Sequence, residues 1–427
     1  MAESLWRHRD FLKLWSAQTI SQVGSQITGL GLPFAAVIVL HSSALEVSLL
    51  VTAAIMPFVL FALLAGVWVD RLRKRPLMIA SDFGRLAVLA SIPIAYAFDA
   101  LTLGQLYATE FVAGTLTVFF DVSYLSYLPA LVSREELAGG NAKLETTRSA
   151  AQAAGPGIAG GLIGLVGAPA AITADAVSFG ISGALIALIR KRETVAPQAD
   201  REPLTRELAE GLRYVFGQRY LRVLTICTGG LNLFSSIAFA LFVVFAVREL
   251  GLSAPLVGTI FMLGSIGALL AAAGSGWVSR RFGFGPTIVW PSILSSAFFV
   301  FMPLSHRSTA IPFLIVGIFF GSAFGTLFNI AQLTLRQAIT PARLQGRVNA
   351  IVRFMYWSPQ ALGAAIGGAI ASGIGLRGAM WVAVTGATLV MVPLAFSSVR
   401  RVGTLPEPSE PSGTLPETPA VLGVADA

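Results

Sequence analysis

Twice along this chain a long apolar stretch ends in glycine and arginines, at equivalent places. The first copy reads G-V-W-V-D-R-L-R-K-R from Gly66 to Arg75, and the second reads G-W-V-S-R-R-F-G from Gly276 to Gly283. The two are 210 residues apart, about half the length of the apolar part of the chain. An apolar chain that repeats itself at that interval folds as a duplicated membrane bundle. Composition agrees: only 12% of residues are charged and 55% are apolar, against about 25% charged in a soluble domain.

A membrane-spanning helix needs roughly 20 mostly apolar residues. Twelve such segments are predicted, at 12–40, 46–69, 76–98, 103–127, 146–167, 169–189, 222–247, 255–279, 286–304, 310–335, 350–373 and 378–398. The expected fold is therefore an all-α membrane protein of twelve transmembrane helices in two pseudo-symmetric six-helix halves. The organisation is an N-terminal half over 1–189, a basic linker over 190–221, a C-terminal half over 222–400 and a tail over 401–427. In the linker, Leu204, Leu208, Leu212, Val215 and Phe216 share one helical face, which predicts an amphipathic helix on the membrane surface. The tail is rich in Pro, Glu, Ser and Thr and is expected to be disordered.

Charge placement predicts orientation. With both termini on one side, 27 of the 30 Lys and Arg fall on that side, and only Arg248, Arg307 and Arg377 on the other. Cytoplasmic loops collect Lys and Arg, so both termini are expected in the cytoplasm. This placement also accounts for the net charge of +8 without a nucleic-acid partner. The single cysteine, Cys227, excludes an internal disulfide. Met1 to Asp10 is polar and the run after it is long enough to span, so no cleavable signal is expected.

The repeat extends beyond the arginine loops. L-A-G-G-N-A from Leu137 and G-R-V-N-A from Gly346 place Asn141 opposite Asn349, 208 residues apart. Each is followed by a glycine-rich run, Gly155-Pro156-Gly157-Ile158-Ala159-Gly160-Gly161 and Gly363-Ala364-Ala365-Ile366-Gly367-Gly368. In these stretches, and in F-L-K-L-W-S-A-Q-T-I-S-Q-V-G-S-Q-I-T from Phe11, the chain resembles the major facilitator superfamily over roughly residues 8–400. Within it, the chain is similar to the branch of bacterial exporters that includes the enterobactin exporter and macrolide efflux proteins.

The resemblance implies roles. It makes Gly66, Asp70 and Arg71 a gate that locks the ends of the two halves together, with Asp82 and Arg85 beneath. The alternative is that the arginines of this loop only anchor it at the membrane surface. The second copy departs from the pattern, since Arg280 stands where Asp70 would be, so an asymmetric lock is expected. The Gly155-Pro156 run resembles a motif associated with antiporters, with three residues rather than two before Gly160-Gly161. Close helix packing through small residues explains it equally well.

Polar residues within spans are costly and face a cavity or a partner. Span one carries Gln18, Ser21, Gln22, Ser25 and Gln26 in one stripe, and span seven carries Thr225, Thr228, Asn232 and Ser235. Span four carries Glu110, Asp121 and Tyr124; span ten carries Asn329, Gln332 and Arg336, with Asn329 lying 208 residues after Asp121. Four matched stripes predict a central site, with Gln18, Gln22, Gln26, Tyr124, Asn232, Asn329, Gln332 and Trp357 as substrate-binding candidates. Interhelical hydrogen bonding alone accounts for any single Gln or Asn among them. Desolvation favours the neutral form of a carboxyl, which makes Asp121, then Glu110, the candidates for proton coupling. Asp175 is as well explained by structure.

No H-E-x-x-H, G-x-S-x-G or G-x-x-x-x-G-K-[ST] occurs, and the G-x-G-x-x-G of Gly155, Gly157 and Gly160 lacks the strand that a dinucleotide site needs. The expectation is a non-enzymatic secondary transporter in a bacterial inner membrane, with no cofactor and no metal. Its partners are a small-molecule substrate, protons and the lipid bilayer, and a monomer is the expected state. Export of a hydrophobic or amphipathic molecule by proton antiport is the first reading. A dedicated siderophore exporter, a nutrient importer, and a non-transporting sensor or assembly partner are the alternatives.

Overall fold

The computed structural model describes residues 8–133, 136–191 and 204–403, together with Leu5; the side chains of Leu63, Gly66, Val67, Asp70, Arg71, Leu204, Thr205, Glu207 and Ala342 lie outside that description. Residues 192–203 of the linker and 404–427 of the tail also lie outside it. The described residues form thirteen α-helices and no strand. They are α1 (Arg9–Phe34), α2 (Ala44–Arg71), α3 (Lys74–Ala97), α4 (Leu103–Leu131), α5 (Leu137–Val166) and α6 (Ala168–Ala187). After the linker come α7 (Leu204–Gly217), α8 (Arg219–Arg248), α9 (Ala254–Phe282), α10 (Phe284–Phe298), α11 (Phe301–Leu304), α12 (Ala310–Ile339) and α13 (Gln345–Phe396).

Among the described residues, eleven stretches are long and apolar enough to cross a membrane. The last, α13, has 52 residues, a length of roughly 78 Å at 1.5 Å per residue, far more than a bilayer's ~30 Å core. Gly375, with φ of 79° inside it, breaks α13 into two spans and brings the total to the expected twelve. Only glycine takes that backbone without strain, and the first half uses the same device: Gly167, 208 residues earlier, has φ of 83° between α5 and α6. Large side chains such as Leu165 (83% exposed), Phe396 (85%) and Leu270 (62%) point outward, the surface of a protein solvated by lipid.

The halves join through two crossings near the end opposite the termini. In one, α5 meets α9: a Cβ on Gly160 would lie 2.9 Å from the Gly258 Cα and overlap the Ala254 carbonyl. In the other, α13 meets α2: a Cβ on Gly368 would lie 2.6 Å from the Leu45 Cα and overlap the Ser48 hydroxyl. The crossings are pseudo-symmetric, since Gly160 and Gly368 differ by 208 positions and Ser48 and Gly258 by 210. At the same end Arg248 donates to the carbonyls of His41 (3.1 Å) and Ser42 (2.6 Å).

The linker helix α7 packs part of its apolar face on the C-terminal half. Tyr214 and Val215 are buried in a cluster of the C-terminal half, Leu208 and Phe216 pack against that cluster, and Leu212 is exposed. The Tyr214 hydroxyl donates to the Ile339 carbonyl at 2.7 Å, and Glu210 pairs with Arg343 at 3.2 Å and with Arg347. Leu204 lies outside the described side chains.

Orientation is open to a direct test. Cys227 is buried, so a Cys227→Ser background isolates new thiols. Ser133, between α4 and α5, and Ser308, between α11 and α12, are both exposed and lie at opposite ends. A membrane-impermeant maleimide should label Ser308→Cys in intact cells and Ser133→Cys only after permeabilisation. The reverse pattern would invert the orientation.

Candidate functional site

Toward the end that carries the termini, two cavities open between the halves. The larger, about 300 Å³, is polar: Gln18 and Gln22 of α1, Asp121 and Tyr124 of α4, Asn141, Glu145, Thr147 and Arg148 of α5, and Arg353 of α13 line it. The smaller, about 150 Å³, is apolar: Phe58 and Ala62 of α2, Val118 and Val122 of α4, and Phe354 and Trp357 of α13 dominate it. Asp121, Leu125 and Arg353 line both. An acid of one half and a base of the other thus stand where a wet chamber meets a greasy one.

Local structure explains how each group gets there. Asp121 lies on α4 between Phe120, which is buried, and Val122, so its carboxyl projects from the packed face and is solvent-exposed in the cavity. It lies in the positive field of Arg85, Arg353 and Arg148. Arg148 is held by Glu145, one turn earlier, at 2.9 Å. Trp357 stacks on Phe58 of the other half, ring centroids 4.8 Å apart and 18° from parallel. Tyr124 stacks on Phe120 at 6.4 Å.

Of the substrate-binding candidates, Gln18, Gln22, Tyr124 and Trp357 thus line the cavities. The others lie elsewhere. Gln26 packs over Gly155, filling the space where that glycine lacks a side chain. Asn232 donates to the Thr228 carbonyl at 2.8 Å. Asn329 accepts from Gln332 at 3.2 Å on its own helix. Gln332 lines a separate small recess in the C-terminal half with Thr228, Arg336 and Tyr356. Glu110 is half-buried near Asp175, which itself accepts from Thr28 and from Ser178 (3.0 Å).

Asp82 and Arg85 form a buried ion pair, with side chains 0% and 6% exposed. Ser182 of α6 donates to Asp82 at 2.7 Å, and the Arg85 guanidinium lies 4.0 Å from the Phe179 ring centre and 4.5 Å from that of Phe120. All of these partners belong to the N-terminal half, so the pair braces α3, α4 and α6 rather than spanning the seam. Of the other gate candidates, Gly66, Asp70 and Arg71 are in the last turns of α2, and their side chains lie outside the described residues.

Arg353, Arg148, Glu145 and Phe58 are cavity residues that reading the sequence for polar stripes passes over. Counted as cytoplasmic anchors, the two arginines carry no directional signal. One sign was available: Arg353 stands 208 residues after Glu145, the interval that relates Asn349 to Asn141.

The chain matches the transmembrane secretion effector family over residues 3–424. It is 27% identical over 387 residues to the multidrug efflux pump Tap of Mycolicibacterium fortuitum, covering 86% of this chain and 90% of that protein. It is 25% identical over 414 residues to the MFS-type transporter YfiS of Bacillus subtilis, covering 92% and 94%. In fold it matches a bacterial homologue of the iron transporter ferroportin in its inward-facing state, at a TM-score of 0.74 and 16% identity, over 92% of this chain and 99% of that one.

Asp82 supplies a test of the brace. Removing one partner of a buried ion pair typically costs about 3–5 kcal/mol, so Asp82→Asn should lower the melting temperature of the purified protein by several degrees. An unchanged melting temperature with slowed transport would make Asp82 a gating residue instead. By its sequence, its helical halves and its relatives, the chain belongs to the transmembrane secretion effector family of major facilitator transporters.

Proposed function

We propose that the protein exports a hydrophobic or amphipathic small molecule in exchange for protons, across a bacterial plasma membrane with both termini in the cytoplasm. The observation that carries the reading is the Asp121–Arg353 junction. A carboxyl reached by water, next to an apolar chamber and opposite a cation on the other half, can exchange its counter-charge as the halves move. With the cavity open toward the termini, Arg353 faces the Asp121 carboxylate. When the halves rock about the midplane, the cation is withdrawn and a proton takes its place. The apolar chamber of Phe58 and Trp357 holds the body of the cargo, while Gln18, Gln22 and Tyr124 offer hydrogen bonds to its polar part. The similarity to the efflux pump Tap supports the outward direction.

Asp121→Asn tests the coupling. An amide keeps the size of the side chain and much of its hydrogen bonding but holds no exchangeable charge. In proteoliposomes, transport driven uphill by a pH gradient should disappear while downhill exchange persists. If Asp121→Asn pumps uphill as well as the parent, Asp121 is not the coupling residue, and Glu110 is the next candidate.

The gate at Gly66, Asp70 and Arg71 is part of the same proposal. Asp70→Asn should fold normally and slow export, because only a charge is lost from the lock. Export at the parental rate and normal protein level would leave Asp70 as a surface charge.

A further inference from the structure

The C-terminal half has an unusual charge inventory. Between residues 222 and 403 it contains one acidic residue, Glu249. That carboxylate is taken up at the closed end by Arg377, 3.1 Å away. Arg336 lies at the other end, in the last turn of α12, and is part-buried. Among the described residues no carboxylate pairs with it, and its buried Nε has no hydrogen-bond partner. The buried hydroxyl of Thr228, on α8, has none either. Both groups line one recess, with Gln332 of α12 and Tyr356 of α13.

A helix C-terminus favours a cation in its last turn, but it supplies no acceptor for the Nε–H. A buried donor without an acceptor is costly, so the Arg336 Nε calls for a partner that the described residues do not supply. The recess is about 10 Å³, the room of roughly one water-sized group. It can take the tip of a polar group and not a molecule. Met355 and Tyr356 line the recess from one face of α13, while Phe354 and Trp357 line the apolar cavity from the opposite face.

We propose that Arg336 and Thr228 seat an oxyanion of the cargo, a carboxylate or a group like it, so that the molecule transported is an apolar anion. This rests on the exporter reading and narrows it. Arg336 offers the charge-assisted, two-pronged donor that suits such a group, and Thr228 adds a hydroxyl donor.

The test compares pyrenebutyrate with its uncharged amide, pyrenebutyramide. Binding is followed by energy transfer from tryptophan, with the full-length protein in nanodiscs of phosphatidylcholine alone. The parent should bind the carboxylate about tenfold more tightly, the worth of one charge-assisted hydrogen bond. Arg336→Gln should erase that preference and leave the amide's affinity unchanged, which also reports that the variant is folded. Arg336→Lys should keep part of the preference. Equal affinities in the parent, or an undiminished preference in Arg336→Gln, would overturn the proposal. Loss of the parent's preference when phosphatidylglycerol is added would also overturn it, by making a lipid headgroup the occupant. Proton-driven efflux of pyrenebutyrate from proteoliposomes is scored separately. Its absence beside an intact carboxylate preference would break the export reading and leave the oxyanion seat standing.

Discussion

Two crossings of small residues hold the molecule together. Where α5 meets α9 and where α13 meets α2, Gly160 and Gly368 let backbone lie against backbone. Within a bilayer there is little hydrophobic drive between helices, so packing at such contacts does most of the joining. Both crossings lie near one end. Their placement leaves the other end free to part, and the cavities that meet at Asp121 and Arg353 are the result. A glycine-rich run that could be read as a transport signature thus acts here first as a packing device, repeated by the duplication at an interval of 208 residues.

The duplication preserved the backbone and let the charges diverge. Gly167 and Gly375 make the same turn in each half. Yet Asp121 answers to Asn329, and Glu145 answers to Arg353. At the seam the N-terminal half brings Asp121, Glu145 and Arg148, and the C-terminal half brings Arg353. A binding site between such halves is polarised before any cargo enters. The buried brace of Asp82 and Arg85, whose guanidinium lies between Phe120 and Phe179, has no counterpart in the C-terminal half, where the one acid of residues 222–403, Glu249, pairs with Arg377 instead.

Much of this was legible in the sequence, for physical reasons. Spans are read from length and hydropathy because lipid demands both, and the twelve expected segments match the helices closely. The stripe on span one led to Gln18 and Gln22, but Gln26, on the same stripe, packs over Gly155 instead. A period of 3.6 names a face and not its neighbour. The same limit applies to α7: its apolar face was readable, while its docking on the C-terminal half through Tyr214 and Glu210 was not. Arg353 was legible only as a cytoplasmic positive charge, since its meeting with Asp121 joins positions 232 residues apart.

The central claim is that the halves rock, with one end closing as the other opens. Pulsed-EPR distances measure this directly in a Cys227→Ser background. One label pair at Asp99 and Ser308 reports the closed end, and another at Ser133 and Gln345 reports the open end; all four positions are exposed. The account predicts two populations whose distances change in opposite senses: lowering the pH lengthens the first distance and shortens the second. Distances that stay fixed at both ends, or that grow and shrink together, would contradict it.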